Sequence, residues 1–149
     1  MPERAERLRR EAWRWHHLAG EDLLLAENAL TPGLPLRGAC LWAQQAAEAA
    51  VKAVLVARDV DPPKSHDLVD LVKRCHSAHF DGTDATDLAA LTQWSIAGRY
   101  PADMPDVTRR SFDRLFGVAR DIVGLAARAL EDMVGRDPFM NEDAGSDDK

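Results

Sequence analysis

The chain has 149 residues, the size of one domain and short for two. Hydrophobic residues make up 46% and charged residues 30%, a balance that fills a core, and no apolar run approaches the ~20 residues that span a bilayer. A net charge of −6 argues against attachment to nucleic acid over the whole surface, and Cys40 and Cys75 are too few for a disulfide framework or an all-cysteine zinc site.

Met1 to Arg14 is studded with Arg and Glu and lacks the apolar stretch of a signal peptide, which makes the cytoplasm the expected address. From there Leu8, Ala12, Trp15, Ala19, Leu23, Ala26 and Leu30 step by three or four and predict a first helix with one apolar stripe. Thr31-Pro32-Gly33-Leu34-Pro35 stops it, since neither Pro nor Gly suits a helix interior. The second helix, about Leu36 to Arg58, is apolar nearly all round, as a central helix with neighbours on several sides must be. Only Gln44, Gln45, Glu48 and Lys52 interrupt it, the last two in the favourable i,i+4 order.

Asp61-Pro62-Pro63-Lys64 breaks the chain again, and Ser65 is the expected N-cap of a short third helix through Leu68, Leu71, Val72 and Cys75. A fourth helix, capped by Thr83 or Asp84, carries Leu88, Leu91, Trp94 and Ile96. An irregular loop from Gly98 to Pro105 follows, and Asp106 is the expected cap of a long last helix with Phe112, Leu115, Ala119, Ile122, Ala126 and Leu130 on one stripe. No strand alternation and no repeat are visible. The expectation is an all-α, up-and-down antiparallel bundle of about five helices over residues 1–137. Residues 138–149 read as an acidic, disordered tail, with Glu142, Asp143, Asp147 and Asp148 and no apolar periodicity.

Three stretches carry a resemblance. Ala43-Gln44-Gln45-Ala46-Ala47-Glu48 with Lys52 resembles the central-helix pattern of the HEPN (higher-eukaryote and prokaryote nucleotide-binding) family. Arg58 through Lys64-Ser65-His66-Asp67-Leu68 is similar to the family's loop into a His-Asp-Leu helix start, and Arg99-Tyr100-Pro101 to an element of one prokaryotic branch. Asp22-Leu23 followed by Ala26 also suits the pattern. The resemblance implies a bundle that is commonly dimeric and is paired, in many members, with a separately encoded minimal nucleotidyltransferase, sometimes as toxin and antitoxin. Another branch consists of metal-independent ribonucleases with an Arg-x(4–6)-His motif.

The resemblance and the residues together give the candidates. Arg58, Lys64, His66, Asp67, Arg99 and Tyr100 are the candidate nucleotide- or phosphate-binding residues. The first turn of the third helix offers free N–H groups and the positive end of its dipole, and Arg99 suits a bidentate phosphate contact beside a stacking Tyr100. Gln44, Gln45, Glu48 and Lys52 are read as site-lining groups or as a satisfied polar core. Arg74 and His79 match the ribonuclease motif by spacing, but they fall at the end of the third helix rather than late in the chain. No catalytic residue, metal site or cofactor is assigned. His16-His17, Cys75 with His79, and His76 with His79 are too few ligands for a closed metal site. Trp13, Trp15 and Trp42 exceed what one helical stripe buries, so a homodimer is expected. The leading functional expectation is a non-catalytic binding partner of a minimal nucleotidyltransferase. The alternatives are a metal-independent endoribonuclease acting on RNA and a structural helical adaptor.

Overall fold

Residues 2–33, 35–95 and 106–140 are described by the computed structural model. Among them the periodicity becomes five α-helices: α1 (Pro2–Asn28), α2 (Leu36–Ala57), α3 (Leu68–Cys75), α4 (Ala85–Thr92) and α5 (Arg109–Val134), with one 3-10 turn at Ala78–Phe80. No strand occurs among the described residues, and none of their helices is long and apolar enough to cross a membrane.

The three long helices form the body. Arg4, near the start of α1, pairs with Asp59, just beyond the end of α2, so the two helices run antiparallel. Their seam is built from small residues. Ala12, Ala19 and Ala26 repeat every seven positions on α1 and are fully buried, as are Ala39, Ala43, Ala46, Ala47, Ala50 and Ala53 on α2. Side chains this small let two helix backbones approach closely, and a spacing of seven keeps them facing the same partner over several turns. From Ala46 to Ala57 every residue of α2 is buried, because α1, α3, α4 and α5 all pack on it. α5 closes the other side with Phe112, Leu115, Ala119, Ile122, Ala126 and Leu130.

The short helices bury Leu68, Leu71, Leu88 and Leu91 against the body and are fixed by polar bonds as well. Cys75 Sγ at the end of α3 lies 3.5 Å from the Val51 carbonyl of α2, and the Leu68 amide at its start donates to Thr92 Oγ1 at the end of α4 (3.1 Å). Burial pushes the Cys75 thiol up to about 12 and the Cys40 thiol to about 11. Both are core residues, as the sequence suggests.

Three boundaries differ from the sequence expectation. Asp67, not Ser65, caps α3: its carboxylate accepts from the amides of Val69 and Asp70, while Ser65 Oγ accepts from the Asp67 amide. Thr108, not Asp106, caps α5, through a reciprocal capping box with Ser111. In both places two capping residues stand two positions apart, and only backbone geometry chooses between them. Trp94 is buried but lies beyond the end of α4, and Ile96 lies outside the described residues.

His16 shows how α1 and α5 hold together at a titratable contact. It is half-buried and its Nε2 lies 2.9 Å from the Val123 carbonyl of α5, so this nitrogen donates. Desolvation pushes its pKa below the ordinary 6.5; the Val123 bond opposes the shift, His17 adds to it and Asp137 opposes it. The unfolded chain therefore takes up this proton more readily than the fold. Stability is retained above about pH 6.5 and lost as pH falls toward the lower folded value. His16→Gln keeps a donor and removes the titration. Its urea midpoint is expected to drop less between pH 7.5 and 5.5 than that of the parent chain; equal drops would mean His16 does not govern this window.

Candidate functional site

The polar residues of α2 sit four apart, so Gln44, Glu48 and Lys52 form one line along an otherwise apolar helix. All three are buried, at 0%, 7% and 7% exposure, and buried polar groups must find partners. They find one another. Gln45 Nε2 donates to Gln44 Oε1 (2.9 Å), Gln44 Nε2 donates to Glu48 Oε1 (3.2 Å), and Lys52 Nζ donates to Glu48 Oε2 (3.2 Å). The fifth member comes from the loop before α3: His66 Nδ1 lies 2.7 Å from Glu48 Oε1.

Glu48 is the hub of the network. The ion pair with Lys52 makes it a carboxylate, which only accepts, so Nδ1 of His66 carries the hydrogen. This fixes the ring's tautomer and orientation and leaves Nε2 as the variable atom, an acceptor when the ring is neutral and a donor when it is charged. The His66 side chain is 41% exposed while that of Glu48 is 10% exposed. A buried carboxylate thus holds a half-exposed imidazole at the surface. The arrangement can receive an anion at Nε2 or move a proton there.

The other candidate residues are distributed differently. Asp67 is spent on its own helix: it occupies the Val69 and Asp70 amides, and Thr92 takes that of Leu68. The expected phosphate cradle of free amides at the start of α3 is therefore closed, and His66 precedes this helix instead of belonging to its first turn. Lys64 is exposed in the same loop, three residues before Asp67. Arg58 is the exposed C-cap of α2, and its charge opposes the larger upward effect of burial on the Cys75 thiol. Arg99 and Tyr100 lie outside the described residues.

Arg74 and His79 do not converge. Arg74 Nε donates to Asp70 one turn back on α3 (2.9 Å), whereas His79 Nε2 lies 2.7 Å from Asp132 on α5. Cys75 turns inward to Val51, so it shares no ligand position with His79 either. Asp22 on α1 is buried; desolvation, then Glu21, pushes its carboxyl up.

What the sequence reading missed is the bond between Glu48 and His66, eighteen positions apart. Its signal was a line of Gln, Glu and Lys on a buried helix, since such a line demands partners and the next loop supplies a histidine. The tryptophans also lie deeper than the sequence suggests. Trp13 is only 3% exposed, because its indole N–H donates to the Gly135 carbonyl (3.0 Å), a polar sink no helical wheel reveals. Trp15 packs partly against the core, and Trp42 is the one of the three that is exposed, at 37%.

The chain is thus a bundle wrapped around a central helix with a Gln-Glu-Lys line and a histidine clasped by the glutamate. The HEPN domain model matches residues 12–130, and the chain belongs to that family of nucleotide-binding and ribonuclease-type domains. No curated protein and no solved structure matches the chain.

Proposed function

We propose that this chain is a non-catalytic HEPN-domain protein that takes the phosphate of a nucleotide at the loop between α2 and α3. In this reading it acts as a homodimer and as the partner of a minimal nucleotidyltransferase, in a pair of the toxin–antitoxin type. The observation that carries the nucleotide reading is the Glu48–His66 bond, which fixes a half-exposed imidazole in the loop that also carries the exposed cation Lys64 two residues earlier. A charged His66 would donate Nε2–H to phosphate while Nδ1–H stays on Glu48, and Lys64 would add charge. Arg74 and His79, each held by its own acid on a different element, favour binding over cleavage. The exposed Trp42, with Leu18, Leu24 and Leu25 on α1, supplies apolar surface of the kind a second copy covers. The nucleotidyltransferase partner is supported by family membership alone.

Calorimetric titration with ATP tests the site. His66→Ala is expected to weaken binding at least tenfold, about 1.4 kcal/mol, and Lys64→Ala by a smaller factor. His79→Ala should leave both ATP affinity and any RNA cleavage unchanged. An unaltered ATP affinity in His66→Ala removes the site, and loss of RNA cleavage in a folded His79→Ala chain restores the ribonuclease reading. Light scattering at micromolar concentration tests the dimer, which a mass of 16.5 kDa throughout would exclude. A nucleotidyltransferase reading frame adjacent to this one, with the two purified chains co-eluting, tests the partner.

A further inference from the structure

Beyond α5 the chain does not leave the bundle. Gly135 to Met140 turns back along the outer side of α1, where five α1 residues seat it. Trp13 Nε1 donates to the Gly135 carbonyl and Arg9 Nε to the Arg136 carbonyl (2.7 Å). His17 Nε2 meets Asp137 Oδ2, while Asp137 Oδ1 accepts the Phe139 amide (2.9 Å) and so sets the turn. The Phe139 ring is then received by three side chains: Arg10 at 4.9 Å and Arg14 at 5.7 Å from its centroid, and His17 edge-on at 5.5 Å.

Trp13 belongs to the core and Phe139 packs against its edge, but the other contacts of the segment are polar and lie toward the surface, as in ligand recognition. Two backbone carbonyls are met by Trp13 and Arg9, the carboxylate by His17, and the aromatic ring by Arg10, Arg14 and again His17. The ring is only half-buried, with open hollows on either side of the segment. One hollow, about 750 Å³, is lined by Arg9, Arg10, Glu131, Arg136 and Met140 among others. The other, about 330 Å³, is lined by Arg14, His17, Leu18, Glu21 and Phe139. The segment lies outside the residues 12–130 that match the family, as do Arg9 and Arg10. It continues in sequence into Glu142, Asp143, Asp147 and Asp148.

We propose that this face of α1 is a peptide-binding surface whose resident occupant is the chain's own C-terminal segment, and that its external ligand is an acidic peptide with an aromatic residue two positions after an aspartate. The resident segment displays that chemistry: Asp137 on His17, and Phe139 between two guanidiniums, where the quadrupole of the ring favours cations at its faces. Arg10 and Arg14 share one side of α1 at i,i+4, so one ring engages both. Trp13 anchors Gly135 at the core, whereas the contacts of Asp137 and Phe139 lie at the surface, where such pairs stabilise little and the ring can exchange with that of a competing peptide. The inference is independent of the loop between α2 and α3.

The test uses the full chain and a fluorescein-labelled synthetic peptide of residues 135–149. The Phe139→Ala chain, whose own segment has lost its ring, is expected to bind the peptide at least tenfold more tightly than the parent chain does. Adding Arg10→Ala and Arg14→Ala to that variant should abolish binding, as should Phe139→Ala in the peptide or scrambling its sequence at constant composition. Equal binding by the parent and Phe139→Ala chains overturns the proposal, and so does equal binding of the scrambled peptide, which would reduce the effect to net charge. A dimer of the parent chain that disappears in Phe139→Ala would assign the face to the segment of a second copy, and would overturn the external ligand. Circular dichroism of every variant, matching the parent's, separates loss of binding from loss of fold.

Discussion

Glu48→Ala is expected to be the most damaging single polar substitution in this protein, lowering unfolding stability by about 3–5 kcal/mol in urea titration. The reason is what it leaves behind. Lys52 is buried with Glu48 as its partner at 3.2 Å, and both side chains are at most 10% exposed. Without the carboxylate, a buried ammonium must find water, lose its proton or drag its helix apart, and the Gln44 amide loses its acceptor too. The paired substitution Glu48→Leu with Lys52→Met removes both charges together and should recover most of the loss, because a desolvated pair stabilises little over apolar residues of similar size. His66 would be released in either variant, so ATP affinity should fall in both while stability falls in only one. A Glu48→Ala chain within about 1 kcal/mol of the parent would show that water already reaches this network.

Ala19→Leu should be the most damaging enlargement, costing about 1–3 kcal/mol by the same titration. Ala19 is the middle of the three fully buried alanines that α1 presents to the bundle. Three added heavy atoms at that level have no void to enter, and the helix pair must part along its length to admit them. Ala29→Leu, at a partly buried position beyond the end of α1, is the control and should change the midpoint little. If the two substitutions behave alike, the close approach of α1 and α2 is not maintained in solution.

Both effects trace to α2, the helix most legible in the sequence. An apolar circumference says that a helix is central, and alanine richness says that its neighbours come close; neither depends on distant residues. The Gln44, Glu48 and Lys52 line was equally legible as a pattern. Its meaning was not, since periodicity along one helix does not say which loop will arrive beside it. His66 had to be brought there by the path through Pro62 and Pro63 and by α3 docking on Thr92. The cap positions failed for a related reason: Ser65 and Asp67 are both good caps, and the backbone angle at one residue decides between them. The C-terminal segment was the furthest from reach. Its acids suggested a tail, but Phe139 against Arg10 and Arg14, with the bonds of Gly135, Arg136 and Asp137 to α1 before it, draws its first residues onto the bundle. Arg99 and Tyr100 lie outside the described residues, so that part of the candidate site stands as the sequence proposed it.

The two cysteines carry a practical consequence. A thiol reacts as its thiolate, and with pKa values pushed up to about 11 and about 12, Cys40 and Cys75 present almost none at neutral pH in the folded chain. Disulfide reagents and alkylators therefore read the rate at which the protein exposes each site, without any engineered label. The pair is well placed for this, with Cys40 inside the first turns of the central helix and Cys75 on the last residue of an eight-residue helix. If the two label at one common rate, the short helix opens only when the whole bundle does. If Cys75 runs ahead, α3 detaches on its own, and the loop that carries His66 moves with it.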